Sequence, residues 1–361
     1  GVTDDFAALK ACADYATANN LPVIFPPGVT VKITGSVDVE LTSGGNFNGS
    51  TLDISSYAGQ IKFVRKVAGV TYDSTSSLVT DINAGSTLNG YYFPALVNHP
   101  EVNNCYLNIV SSQPYYTYRG SVVNRTERLI SVRNGIMDGS LKYPLAGSLV
   151  TSVVAYPLPA SFIVYRDLNI KIGTNQLRAN NIYIEADMLQ LINWTFEQGD
   201  IDYTTINPVY VAIHNSSRIL VQDFNMMWAN RTSANNFTYG LACEYSCDVK
   251  FVRCRGVGDG WGMTGFNENR KITFDSCSLN RIDSHQPFIE YLRVINCDVL
   301  QWGIYLTILG DIVIDGGSIK LTNDSVYTDK IGFITLREEC GGIADGRLIM
   351  HNVALSNATS T

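Results

Sequence analysis

Four short segments decide the fold: VKFVRCRGV (249–257), ITFDSCSL (272–279), LRVINCDVL (292–300) and IVIDGGSI (312–319). All four fit one pattern, in which apolar residues alternate, two free positions follow, and then come a position X, one more free position and a closing apolar residue. X is Cys254, Cys277, Cys297 and Gly317. Working backward, the pattern fits again with X at Phe224, Trp194 and Leu168, and around Gly135 in ISVRNGIM (130–137). Forward, it fits LIMHNVAL (348–355) with X at Val353. The steps between successive X positions are 33, 26, 30, 30, 23, 20, 20 and 36 residues. A step of this size without helical periodicity points to a parallel β-solenoid, one coil per repeat, with coils stacked at the spacing of neighbouring strands, about 4.8 Å. Cys254, Cys277 and Cys297 then fall in one inward column and read as stacked core thiols.

The same register predicts a second strand in each coil: Val209–His214, Tyr239–Glu244, Gly262–Asn267, Ile282–Pro287 and Trp302–Thr307. Side chains of a strand alternate between faces. Ile213, Cys243, Phe266, Gln286 and Leu306 are expected in one inward column, and Val211, Leu241, Thr264, Ser284 and Ile304 in another. The outward columns hold Tyr210, Gly240, Met263, Asp283 and Gly303; Ala212, Ala242, Gly265, His285 and Tyr305; and His214, Glu244, Asn267, Pro287 and Thr307. Small residues leave a shallow floor, ringed by His214, Glu244, Asp283, His285 and Tyr305. In this register Glu244 and Asp283 lie about 16 Å apart between backbones.

Composition agrees with a β-rich chain. Of 361 residues, 45% are hydrophobic, enough for a core, and only 16% are charged, where about 25% is usual. Long solvated helices need more charge than this. Thirty glycines and twenty tyrosines point to turns and strands instead. The net charge of −7 argues against nucleic acid as a partner. No stretch approaches the roughly 18 apolar residues of a membrane span, so no membrane insertion is expected. The chain starts at Gly1 without signal-peptide features and reads as a piece of a longer protein. Eight cysteines are too sparse for a disulfide scaffold and, apart from Cys243-x-x-x-Cys247, lack metal-ligand spacing. Buried thiols are expected, with no metal and no cofactor.

One helix is clear, over 4–20, with Asp4 or Asp5 as its cap and Phe6, Leu9, Cys12 or Ala13, and Ala16 at helical spacing. Residues 1–40 are read as a cap helix with the first strands. Residues 41–361 are read as one continuous run of coils, most regular over about 160–320. The Tyr-rich stretch QPYYTY (113–118) reads as a loop, placed to line a substrate or a subunit contact.

The opening GVTDDFAALKACADYATANNLPVIFPPGVTVKI (1–33) resembles the start of pectate-lyase-like right-handed β-helix proteins. DGWGMTGFNENRKITFDSCSLNRIDSHQPF (259–288) resembles the central coils of bacteriophage tailspike depolymerases. The resemblance covers the cap and roughly residues 160–320. It implies an all-β chain: a single right-handed parallel β-helix with an N-terminal capping helix. It further implies a homotrimer on a phage virion, joined to other tail proteins, that cuts a bacterial surface polysaccharide by hydrolysis or by β-elimination. The calcium-binding carboxylates and R-x-P-x-x-R of plant-type pectate lyases are missing, as are the G-H-G and R-x-K motifs of polygalacturonases, so pectin chemistry is not implied. Arg281-x-Asp283-x-His285 fits an R-x-D-x-H pattern associated with this tailspike group.

Glycoside hydrolysis needs an acid and a second carboxylate, about 5–5.5 Å apart for retention or about 6.5–9.5 Å for inversion. Glu244 and Asp283 are the candidates, and Asp259 and Glu268 lie in turns where they could complete a pair. β-Elimination needs a base and a cation beside an acidic proton, and His285 and Arg281 supply those types. His214, Trp261, Trp302, Tyr305 and Tyr210 are candidate sugar contacts, the aromatics by stacking. The expected function is an endo-acting depolymerase of a capsule, O-antigen or exopolysaccharide, with hydrolysis placed ahead of elimination. A non-catalytic carbohydrate-binding fibre is the opposing class.

Overall fold

The computed structural model describes residues 4–85, 91–141, 145, 149–172, 181–198, 209–227, 239–257, 262–322, 332–337, 339 and 345–357, with the backbone alone at 198, 209, 210, 227, 257 and 262–266. Two parallel sheets form the body. The first runs Gly45–Tyr57, Ile163–Ile172, Asp187–Gln198, Ser217–Gln222, Cys247–Val252, Arg270–Asp275, Ile289–Val299 and Asp311–Leu321. Running alongside it, the second takes Val39–Leu41, Ile61–Val64, Ile182–Glu185, Val209–His214, Tyr239–Glu244, Gly262–Asn267, Ile282–Ser284, Ile304–Leu306 and Ile334–Leu336. Each coil gives one strand to each sheet, an arrangement consistent with a parallel β-helix. Among the described residues no helix is long and apolar enough to cross a membrane.

The X column is real from Leu168 onward. Leu168 pairs with Trp194, and the flanking pairs put Phe224, Cys254, Cys277, Cys297, Gly317 and Val353 in the same row. The three cysteines of that row are buried, and two of the thiols accept from the backbone of the coil before: Cys254 N donates to Cys277 Sγ (3.4 Å) and Cys277 N to Cys297 Sγ (3.3 Å). Between the sheets lies one continuous apolar core, in which Trp194 stacks on Phe224 (5.3 Å) and Phe251 on Phe274 (4.8 Å). Such pairs contribute about 0.5–1.5 kcal/mol beyond their area. The turn from second to first sheet is made by one residue at positive φ: Asn215 (46°), Tyr245 (55°) and Glu268 (50°). Beside it a polar ladder satisfies buried amides, with Ser216 N donating to Ser246 Oγ (3.1 Å) and Ser246 N to Asn269 Oδ1 (2.9 Å).

Phe6–Asn19 is the cap helix, burying Leu9, Ala13 and Ala16 while Cys12 stays exposed. Its entry is fixed by Asp4, whose carboxylate accepts from Phe6 N (3.1 Å) and from Thr34 N (3.1 Å) and Oγ1 (2.5 Å). Asn20, at φ 53°, ends it.

Two expectations are corrected. The repeat at Gly135 is not a coil, since Ile136–Asp138 is an edge of a five-stranded antiparallel sheet with Val70–Asp73, Val150–Pro157, Cys105–Tyr118 and Ser121–Arg133. Leu168 instead pairs with Ser50. The antiparallel sheet is thus inserted between two adjacent coils and interrupts the run expected from residue 41. It holds its own core, in which Leu78, Val79 and Ile82 of helix Ser77–Gly85 meet Leu107, Ile109, Leu129 and Val153. Gln113–Tyr118, expected as a loop, is the end of a long hairpin strand. Alternation of apolar and polar residues is shared by parallel and antiparallel strands, so pattern alone misassigned Gly135.

Candidate active site

The outer face of the second sheet carries the predicted patch, in a corrected register. Gly265 pairs with Asp283, which pairs with Tyr305, and Phe266 pairs with Ser284. Asp283 therefore continues the Ala212–Ala242 column, two positions from the expected one, and Ser284 replaces Gln286 beside Phe266. The cause is the short step of this coil, which trims the strand to three residues. Glu244 and Asp283 come to lie two coils and two residues apart, about 12 Å between backbones by strand geometry.

Asp283 is not a surface carboxylate. It is 0% exposed and is held on both oxygens. Arg337 Nη1 donates to Oδ1; Tyr239 Oη donates to Oδ2, which Arg281 Nη2 also approaches at 3.3 Å. Arg281 is buried too, its guanidinium over Tyr305 (5.0 Å) and Trp302 (5.9 Å), while Arg337 also lies over Tyr305 (4.4 Å). Tyr305 and Trp302 are buried as packing partners of these cations, not exposed sugar platforms.

In front of this buried ion cluster stand Tyr239, His285 and Glu339. Tyr239 Oη is 3.2 Å from His285 Nε2, and His285 Nδ1 is 3.7 Å from Glu339 Oε1. His285 keeps 25% of its side chain exposed. Burial, together with Arg337, pulls its pKa below the ordinary 6.5 although Asp283 opposes this, so the ring is neutral at neutral pH. Tyr239 is pushed well above the usual phenol value by burial and by the Asp283 carboxylate, so it keeps its proton. Hydrogen bonds from Arg337 hold the Glu339 carboxyl at about 2, against the cost of burial. The cluster thus presents a neutral imidazole, a protonated phenol and a fixed carboxylate in front of two guanidiniums.

Upstream on the same face, Glu244 pairs with His214 and Asn267 in register, and Asn267 Nδ2 donates to Glu244 Oε1 (2.5 Å). His214 lies between Tyr183 (6.0 Å) and Tyr245 (5.3 Å). The structure therefore assembles His214, Glu244, Asp283, His285, Arg281, Trp302 and Tyr305 on or just behind one face. Glu268 is elsewhere: it is buried against Arg128 (3.1 Å) beneath the inserted sheet, and burial raises its pKa although Arg128 opposes this. Asp259 and Trp261 lie outside the described residues, and so does the side chain of Tyr210.

Sequence reading missed Tyr239, Arg337, Glu339 and Arg119. The first opens a strand that was identified, but it shares the parity of the inward Leu241 and Cys243, so alternation assigned it to the core. Arg337 and Glu339 follow the end of the strand Ile334–Leu336, beyond the alternation that was read, so no strand-face signal pointed to them.

Arg119 reaches the site from the inserted hairpin, Cys105–Tyr118 and Ser121–Arg133, which lies along the turns beside the face. Tyr106 Oη donates to Tyr245 O (3.0 Å), Arg128 pairs with Glu268, Tyr116 packs on Leu309, and Arg119 N donates to Glu339 O (2.7 Å). A separate cleft of about 1010 Å³ lies where the insertion leaves and rejoins the coils, lined by Ser43–Asn46, Lys66, Phe162 and Arg166 among others. Arg65 at its edge is committed to Asp187 (2.5 Å) and Glu185 (3.2 Å).

No protein-family model matches the chain. A capsule KL64-specific depolymerase of Klebsiella phage P510 is 26% identical over 329 residues, covering 87% of this chain and 32% of the relative. The chain thus spans about a third of the length of that relative. The tailspike of Pseudomonas phage phi297 aligns over 100% of this chain and 70% of its own, at a TM-score of 0.51 and 12% identity, a likeness of fold. The resemblance to phage tailspikes and depolymerases read from the sequence is thus found again in both comparisons.

Proposed function

We propose that the chain is the polysaccharide-cleaving part of a phage tailspike, a right-handed parallel β-helix that assembles as a homotrimer and depolymerises a bacterial capsule or related surface polymer. The reading extends to this chain what the KL64-specific relative is named for. Attachment to other tail proteins belongs to the same proposal.

Of the two chemistries, the geometry favours β-elimination on a uronate-containing chain. The observation that carries this is the 3.2 Å contact between a neutral His285 and a protonated Tyr239, backed by Arg281 and Arg337. The described carboxylates of the cluster are clamped: Asp283 on both oxygens and Glu339 by the two donors of Arg337. Glu339, held at about 2, is not the raised-pKa acid that hydrolysis requires, and Asp283 is 0% exposed and faces no substrate. His285 takes the proton α to the uronate carboxyl, the C4–O bond breaks as the C4=C5 double bond forms, and Tyr239 protonates the departing oxygen. Afterwards His285 returns its proton to Tyr239 through solvent. Arg281 and Arg337 supply positive potential from behind, where the low dielectric strengthens it.

The test is turnover on a panel of purified Klebsiella capsular polysaccharides including KL64. New reducing ends with near-ultraviolet absorbance of an unsaturated uronate support elimination. Reducing ends without that absorbance overturn it in favour of hydrolysis. Binding with neither signal leaves a carbohydrate-binding fibre.

A further inference from the structure

We propose that Arg119, carried on the tip of the inserted hairpin, is a substrate-binding residue that grips an acidic group of the polysaccharide beside His285; this rests on the site reading given above. Elimination needs a cation that touches the substrate carboxylate, and Arg281, chosen from sequence for that task, is buried behind Asp283 and cannot reach it. Arg337 is buried too and engaged with Asp283 and Glu339. Arg119 differs. Its side chain is 58% exposed, and its Nη2 lies 3.3 Å from the same Glu339 oxygen that stands 3.7 Å from His285 Nδ1.

The backbone around Arg119 is built for delivery. Tyr118 and Ser121 pair across a two-residue turn whose residues, Arg119 and Gly120, have φ of 48° and 82°. This is the tight hairpin turn whose twist matches the flanking strands. Arg119 N donates to Glu339 O (2.7 Å), so the tip is pinned to the coil, and the guanidinium lies 5.1 Å from the Tyr118 ring. Two carboxylates, Asp283 and Glu339, face three guanidiniums in this cluster, so an acidic polymer meets net positive charge on a chain of net charge −7. The planar guanidinium binds a carboxylate through two parallel hydrogen bonds, which a sugar-ring carboxyl can accept.

The test compares Arg119→Asn and Arg119→Lys with the parent chain on a cleaved, uronate-bearing capsular polysaccharide and on the same polymer after chemical reduction of its carboxyls. Asn tolerates the left-handed turn and makes the favoured Asn-Gly pair, so folding is preserved. Loss of a charged hydrogen-bonding partner predicts a KM about ten- to hundredfold higher for Arg119→Asn, with kcat changed far less, and partial recovery in Arg119→Lys. On the carboxyl-reduced polymer the parent and Arg119→Asn bind alike. An unchanged KM for Arg119→Asn, while Tyr239→Phe is inactive, overturns the role of Arg119 and leaves the site reading standing. Full turnover in Tyr239→Phe, or no cleavage of any acidic polymer, overturns the site reading and this inference with it.

Discussion

The coils from Ser217 to Leu321 and the inserted sheet from Val70 to Pro157 reach order by different means. In the coils, like residues recur at like positions, and burial is shared along columns such as Cys254–Cys277–Cys297. The insertion folds around its own apolar cluster and is fastened to the coils by small apolar contacts and by a network of charge. Arg125 donates to Glu127 (2.5 Å), Glu127 pairs with Arg270, Arg270 pairs with Glu290 (2.9 Å), and Lys271 reaches Asp138 (2.7 Å). Buried charges of this kind add little net stability over an apolar contact, but removing one partner strands the other. The difference teaches where precision resides: the columns tolerate the stacking of any coil of the right shape, whereas the charge network sets one position of the hairpin and hence of Arg119.

The largest expected effect falls on chemistry contributed by the coils alone. Tyr239→Phe keeps the ring in place and removes the proton donor, so turnover drops by about 10²–10⁴-fold with the melting temperature little changed. Activity within threefold of the parent would remove the coils from the chemistry.

Next come two stability changes that set the regions against each other. Phe251→Ala opens a cavity beside Phe274 in the coil core, at a cost of about 3–5 kcal/mol, read by chemical denaturation. Glu127→Gln leaves the fully buried Arg270 short of a partner, with a cost of about 3–5 kcal/mol, and separates the insertion into its own earlier transition. One shared transition in both variants would show the two regions to be a single cooperative unit.

A smaller effect tests the insertion alone. His99 is buried between Asp81 (2.8 Å) and Glu101 (2.8 Å). Burial pulls its pKa down, but the two carboxylates outweigh this and the net shift is upward. A raised folded pKa contributes stability that is complete below about 6.5 and is lost as pH rises through the folded value. The partners are half exposed, so the contribution is under about 1 kcal/mol. Denaturant midpoints across that window should fall for the parent and stay flat for His99→Gln.

The smallest effect joins both regions. Because His285 titrates below 6.5, the acid limb of kcat/KM lies below that pH. Arg119 is among the charges holding it down, so Arg119→Asn moves the limb to higher pH. An unmoved limb would detach the hairpin from the base.

Much of the coil register was legible because each coil must repeat its neighbour's shape: the X column from Leu168 to Val353 and the strands Val209–His214, Tyr239–Glu244 and Gly262–Asn267 stand as read. The face bearing His214, Glu244, Asp283, His285 and Tyr305 was found for the same reason. Reading failed at Ile282–Ser284, where a short coil shifts the strand by two residues without altering which face each residue takes. Failure at Gly135 has another source, since an antiparallel strand alternates as a coil strand does.

From the sequence alone came the columns, the cap helix and the sheet face to which the candidate polar residues belong, because these follow from local alternation and a repeat that any neighbour must match. Tertiary structure alone decided that Asp283 is buried between Arg281 and Arg337, that Tyr239 meets His285, and that Arg119 arrives beside Glu339 from 220 residues away. The last of those contacts joins the inserted sheet to a coil, and the others bring together residues of separate coils. Nothing in the spacing of residues along the chain encodes the closure of so long a loop; packing and charge do.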